Sequence, residues 1–188
     1  MRGLITAALL VSCAISWGDN FAAETGNEFN RRIAHYLKLR REAVAGLPAV
    51  KKNAQPDDIR ANKLAQASAI RKARAAAKQG DIFTPGFQQY VRELIGAATR
   101  GEGGKPAKKT AMVGNPAHEH ESPAQPVELK VNAPYPGSAA LSSVPPSLLL
   151  TLPELPKDLD YRFVGRNLIL HDVNAGLIVD YIQNAIPE

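Results

Sequence analysis

Near the end of the chain, large apolar residues fall at every second position in three short runs. Leu159, Tyr161 and Phe163 form the first, Leu168 and Leu170 the second, Leu177, Val179 and Tyr181 the third. Gly165-Arg166-Asn167 and Asp172 to Gly176 separate them. A period of two puts alternate side chains on opposite faces, so the pattern predicts three antiparallel strands with these eight residues on one face. The other face would mix Val164, Ile169 and Ile178 with Asp160, Arg162, His171 and Asp180. A lone three-stranded meander with one apolar face is marginal in water and needs a cover. The nearest candidate is a short helix over Pro146 to Leu152, carrying Leu148, Leu149, Leu150 and Leu152. Helices nearer the N-terminus are the other.

Three such helices are expected. Thr25-Gly26-Asn27-Glu28 has the spacing of a capping box, which predicts a helix from there to Ala45. Phe29, Ile33, Tyr36, Leu37 and Val44 would share one face, and Gly46-Leu47-Pro48 would end it. A second, Ala-rich helix starts after Pro56 and runs to Gln79, with Asp57 and Asp58 at its positive end and Arg71, Lys72, Arg74 and Lys78 towards its negative end. Thr84-Pro85 opens a third, Pro85 to Ala98, with Phe87, Tyr90, Val91, Leu94 and Ile95 at helical spacing. From Thr99 to Pro126 large apolar residues nearly vanish, while Gly, Pro and Lys accumulate, so a disordered linker is expected there. Val127 to Val131 alternates as a short strand would. The fold class expected is α+β: a helical region over 19–98, a linker over 99–126 and a small β-containing unit over 127–188.

The first 18 residues read as an export signal. Arg2 is the positive start, Leu4 to Ile15 the apolar stretch, and Ser16 and Gly18 the small residues before cleavage. The stretch falls short of the roughly 20 apolar residues that a membrane-crossing helix needs. Cys13 is the single cysteine and lies inside this signal. A second reading takes Leu10-Val11-Ser12-Cys13 as a lipobox, with Cys13 carrying a lipid anchor. The net charge of +5 keeps such a protein soluble. Outside the cytoplasm it would favour lipopolysaccharide, acidic lipids or envelope polymers as anionic partners, not nucleic acid.

Candidate chemistry is sparse. His118-Glu119-His120-Glu121 is the one dense run of metal-ligand types, suited to nickel, cobalt, copper or zinc. Its competing reading is a solvated polar tract. His171 and His35 would join a site only through tertiary contacts. Arg40 falls in the middle of the first helix's apolar stripe, where a cation needs a carboxylate or several carbonyls. The alternative for Arg40 is contact with a partner's acidic group, and Arg162 and His171 are the partner-contact candidates on the sheet. Asp158 and Asp160, two apart, carry no sign of a catalytic pair. There is no G-x-S-x-G, no H-E-x-x-H and no cysteine nucleophile after the signal. An enzyme would need a cleft that gathers His171 with an Asp or Glu.

The segment VPPSLLLTLPELPKDLDYRFVGRNLILHDVNAGLIVDYI carries a family likeness. A Leu/Pro-rich run, Tyr-x-x-Val-Gly, two short apolar strands and Asp-Val-x-Ala-Gly-Leu-Ile-Val-Asp-Tyr-Ile follow in order. This resembles the C-terminal domain of small bacterial periplasmic proteins of the RcnB type, which serve nickel and cobalt homeostasis, and of the related CigR-type regulators. Tyr161, Val164, Gly165, Leu168, Leu170, Ala175, Gly176, Ile178 and Val179 carry it. Asn174 departs from the pattern, and residues 19–126 lie outside it. The resemblance implies periplasmic residence and a non-enzymatic role, with nickel or cobalt handling through His118 to Glu121 as the alternative.

Overall fold

In the computed structural model, described over residues 12–50, 53–113, 129–135 and 144–187, five α-helices precede a three-stranded sheet. The helices are α1 (Ser12–Val44), α2 (Pro56–Ala73), α3 (Pro85–Ala98), α4 (Lys105–Val113) and α5 (Pro146–Leu149). The strands are β1 (Leu159–Val164), β2 (Asn167–Asp172) and β3 (Leu177–Ile182), in the antiparallel order β1-β2-β3. The α+β architecture and the meander are those the sequence predicts.

The helix boundaries follow local chemistry, with two departures. Helix α3 begins where expected, the Thr84 side chain accepting from the Phe87 amide and Pro85 opening the first turn. Thr25 is no helix start. Helix α1 passes through it without a break, and Thr25 is buried. Good helix formers just ahead of it, Ala22, Ala23 and Glu24, carry the helix into the capping-box spacing. Helix α2 ends at Ala73 rather than Gln79, because Arg74 turns out of the helix to reach the sheet. The stretch expected to be a linker starts with ordered structure: α4 packs near β1, with Ala111 fully buried. Residues 114–126 lie outside the described residues.

One core joins the two regions that the sequence separates. Phe29 and Ile33 of α1, Ile70 of α2 and Phe87, Val91 and Ile95 of α3 pack against the inner face of the sheet. The Phe29 and Phe87 rings stack at 4.1 Å between centroids, and Phe83 stacks on Phe87 at 5.4 Å. The cover is therefore mainly the N-terminal helices. Leu148 and Leu152 add to it, while Leu149 and Leu150 face outward, 49% and 87% exposed.

The sheet departs from the expected pattern in β3. Leu170 of β2 pairs with Asp180, but His171 pairs with Ile178, so Val179 is a bulged extra residue. After the bulge the sidedness of β3 inverts. Tyr181, expected inside, joins Ile169 and Ile178 on the outer face, and Ile182 takes its place in the core. Asp180, expected outside, turns inward and is fully buried. Strand formation over Val127 to Val131 is not seen in its described part: residues 129–131 form no strand, and 127–128 lie outside the described residues. Instead the Asn132 and Tyr135 amides donate to the carbonyls of Ile178 and Gly176, and the Ile178 amide to that of Ala133, so this segment lines the far edge of β3.

Candidate functional site

Three arrangements bring together side chains that carry chemistry. The first is buried between helices and sheet. The Arg40 Nε donates to Asp172 Oδ2 at 2.7 Å, and the Tyr36 hydroxyl donates to the same oxygen at 2.7 Å. Asp172 Oδ1 accepts from the Ala175 amide, closing the β2–β3 turn. Asp158 Oδ1 lies 3.9 Å from the Arg40 guanidinium. Arg40, named from sequence as a partner-contact candidate, is thus buried and committed to an internal acid. Its place in the apolar stripe is explained by the carboxylate it meets. Burial, then the Asp172 charge, push the Tyr36 hydroxyl far above its ordinary pKa, so it stays protonated and donates to Asp172.

Beside this pair, Asp180 gathers backbone amides. Its carboxylate accepts from Gly80 at 3.0 Å, Ile82 at 2.9 Å, Phe83 at 2.8 Å and its own neighbour Tyr181 at 2.8 Å. It fixes the connection between α2 and α3 to the last strand. Burial raises its pKa despite these four bonds. Arg74 lies with its guanidinium 5.0 Å above the Tyr36 ring and donates to Asn132 Oδ1 and the Val179 carbonyl.

The second arrangement lies on the outer face. Asp160 and His171 are cross-strand partners, and His171 Nδ1 sits 2.9 Å from Asp160 Oδ1. Arg162 donates through Nε and a terminal nitrogen to Asp160 Oδ2, at 2.9 and 2.6 Å. Burial works against the Asp160 charge, but the hydrogen bonds from His171 and Arg162 outweigh it and hold its pKa below the usual value. With Asp160 ionised, the His171 proton must reside on Nδ1. The Tyr135 ring lies tilted against His171, 4.9 Å between centroids, and its hydroxyl is buried with no partner among the described residues. Arg162 and His171, both partner-contact candidates, are therefore brought together by Asp160. Asp158 and Asp160 are not a pair: Asp158 accepts from Asn174 instead.

The third is a groove of about 600 Å³ between β1 and the Val144 to Leu155 segment. Exposed Leu149 and Leu150 border it, and Asp160 and Arg162 line it at the sheet. His171 does meet an acid, as an enzyme would require, but it is buried and not part of the groove's lining.

His118, Glu119, His120 and Glu121 lie outside the described residues, and among the described residues no group of three or more His, Cys, Asp or Glu is placed to hold a metal ion. No described helix is long and apolar enough to cross a membrane. Sequence reasoning did not single out Asp172, Asp180, Tyr135 or Arg74. Only for Asp172 was there a signal, since a buried Arg40 demands an acid. Comparison with protein-family models, with curated proteins and with solved structures gives no match for this chain.

Proposed function

We propose that this is an exported, non-enzymatic binding module of a bacterial envelope, which engages another envelope protein through the groove beside β1. The observation that carries this reading is the pairing of Leu149 and Leu150, open to solvent, with the Asp160–Arg162 ion pair across one groove. Apolar contact would supply affinity, and the fixed charge pair would supply orientation. The occupant we favour is a protein segment with an apolar side chain for Leu149 and Leu150 and a polar group for the ion pair. The Asp160–Arg162 pair is neutral in sum, which suits a protein better than a polyanion. The likeness of the C-terminal segment to RcnB-type and CigR-type periplasmic proteins supports an envelope location.

The test is crosslinking capture from an envelope fraction with the natural chain and with Leu149→Glu/Leu150→Glu and Arg162→Glu variants. We expect one recurrent protein, lost with the double variant while its thermal unfolding stays unchanged, and weakened with Arg162→Glu. Capture that ignores both variants would overturn the reading. Nickel or cobalt handling through His118 to Glu121 is the rival. Calorimetric titration of the chain and a His118→Ala/His120→Ala variant separates the two, since micromolar binding lost in the variant would favour the rival.

A further inference from the structure

A second cleft, of about 560 Å³, opens on the opposite layer, between α1 and the chain that follows α2. Its walls are largely apolar: Leu39, Ala73, Ala76, Ala77 and Ile82 contribute, with Tyr36 behind them. Arg74 also lines it and is the unusual member. It is only 8% exposed, and among the described residues no carboxylate lies in ion-pair contact with it. A guanidinium carries five N–H donors; the described hydrogen-bond acceptors of Arg74 are two neutral oxygens, Asn132 Oδ1 and the Val179 carbonyl, with the Tyr36 ring against its face. The nearest buried acids are already engaged, Asp172 by Arg40 and Tyr36, Asp180 by backbone amides. A cation taken out of water without an anion in contact is costly, and an anion that reaches it gains a charge-assisted hydrogen bond in a shielded place.

The rest of the lining agrees. Arg31 and His35, one helical turn apart on α1, are exposed at the cleft. Arg32 is occupied, holding Glu28 at 2.8 Å and the Asp81 carbonyl. The lining thus sets three guanidiniums, Arg31, Arg32 and Arg74, beside two carboxylates, Glu28 and Asp81, while the buried Asp180 and Asp172 act on Arg74 through space and not by contact.

We propose that this cleft is a binding site for a small amphipathic anion, a carboxylate or phosphate monoester on an apolar body, with Arg74 holding the anionic group. The volume is in the range of small-molecule sites, about 300–1,000 Å³. The apolar walls take the body, and Arg31 adds a positive charge at the rim.

Octanoate, octyl phosphate and neutral octanamide are the probes, titrated into the full chain while the amide resonances of Ala73 to Ala77 are followed by NMR. Saturable shifts with octanoate or octyl phosphate, at least tenfold weaker with octanamide, are expected; the stronger of the two names the headgroup. Arg74→Met should lose at least tenfold in affinity and Arg74→Lys less. Ala76 is exposed, so Ala76→Phe fills the cleft without touching the core and should abolish binding with unchanged thermal stability. Equal binding of octanamide, binding that Ala76→Phe leaves intact, or no saturable binding would overturn the assignment. None of these outcomes bears on the groove beside β1, whose residues are separate.

Discussion

The two faces of the sheet use the same residue types for opposite ends. On the inner face Asp172 and Asp180 are fully buried, and every oxygen has a partner within the fold. On the outer face Asp160 binds His171 and Arg162 while its side chain stays about a third exposed. The inner acids join elements far apart in sequence. The outer acid joins neighbours on adjacent strands and leaves a charge pair at a groove. A carboxylate's burial and the origin of its donors, more than its identity, separate an architectural role from an available one.

The comparison breaks first at Arg40. Arg40→Met leaves Asp172 as a buried charge without its cation and should cost about 3–5 kcal/mol in denaturant unfolding. Adding Asp172→Asn should recover part of that loss; a double variant as unstable as the sum would mean the two do not act as a pair. Asp180→Ala is next. It strips the acceptor from the Gly80, Ile82 and Phe83 amides, and about 3 kcal/mol should be lost, with faster hydrogen exchange at Ile82 and Phe83.

On the outer face Asp160→Asn should cost only about 1 kcal/mol. The two faces should also answer acid with opposite sign. Asp160 has its pKa lowered in the fold, so its contribution is present above the ordinary value of about 4 and is lost as pH falls through the lower folded value. Asp180 has its pKa raised, so its contribution is present below the ordinary value and is lost as pH rises through the folded value. Unfolding midpoints of the natural chain, Asp160→Asn and Asp180→Asn from pH 3 to 7, scanned in steps of about half a unit, check both signs. The smallest effects lie away from either acid. Gly176 has φ +63 in the β2–β3 turn, and Gly176→Ala should lose about 1 kcal/mol from the left-handed backbone.

The period-two pattern located the meander because one apolar face leaves alternation as the cheapest arrangement, and Thr84-Pro85 located α3 because capping is a local event. Tyr181 and Asp180 were placed on the wrong faces for a reason that alternation cannot contain. A bulge at Val179 is chosen by what Asp180 can reach, namely amides about a hundred residues earlier. Arg40 announced that an acid was needed, but which acid depended on packing α1 against β2. The Asp160–His171 pair needed the β1–β2 register, and the cleft at Arg74 needed the point where α2 unwinds. None of these is a local property.

The reach of Asp180 has a consequence for how the molecule is made. A residue about a hundred positions later in the chain fixes the corner between two helices that are synthesised ahead of it. As the chain emerges from a ribosome or a translocation channel, the Gly80, Ile82 and Phe83 amides have no carboxylate to accept from them until β3 is through. The domain therefore closes late, and a chain cut short before β3 would leave the three amides at this corner without their acceptor.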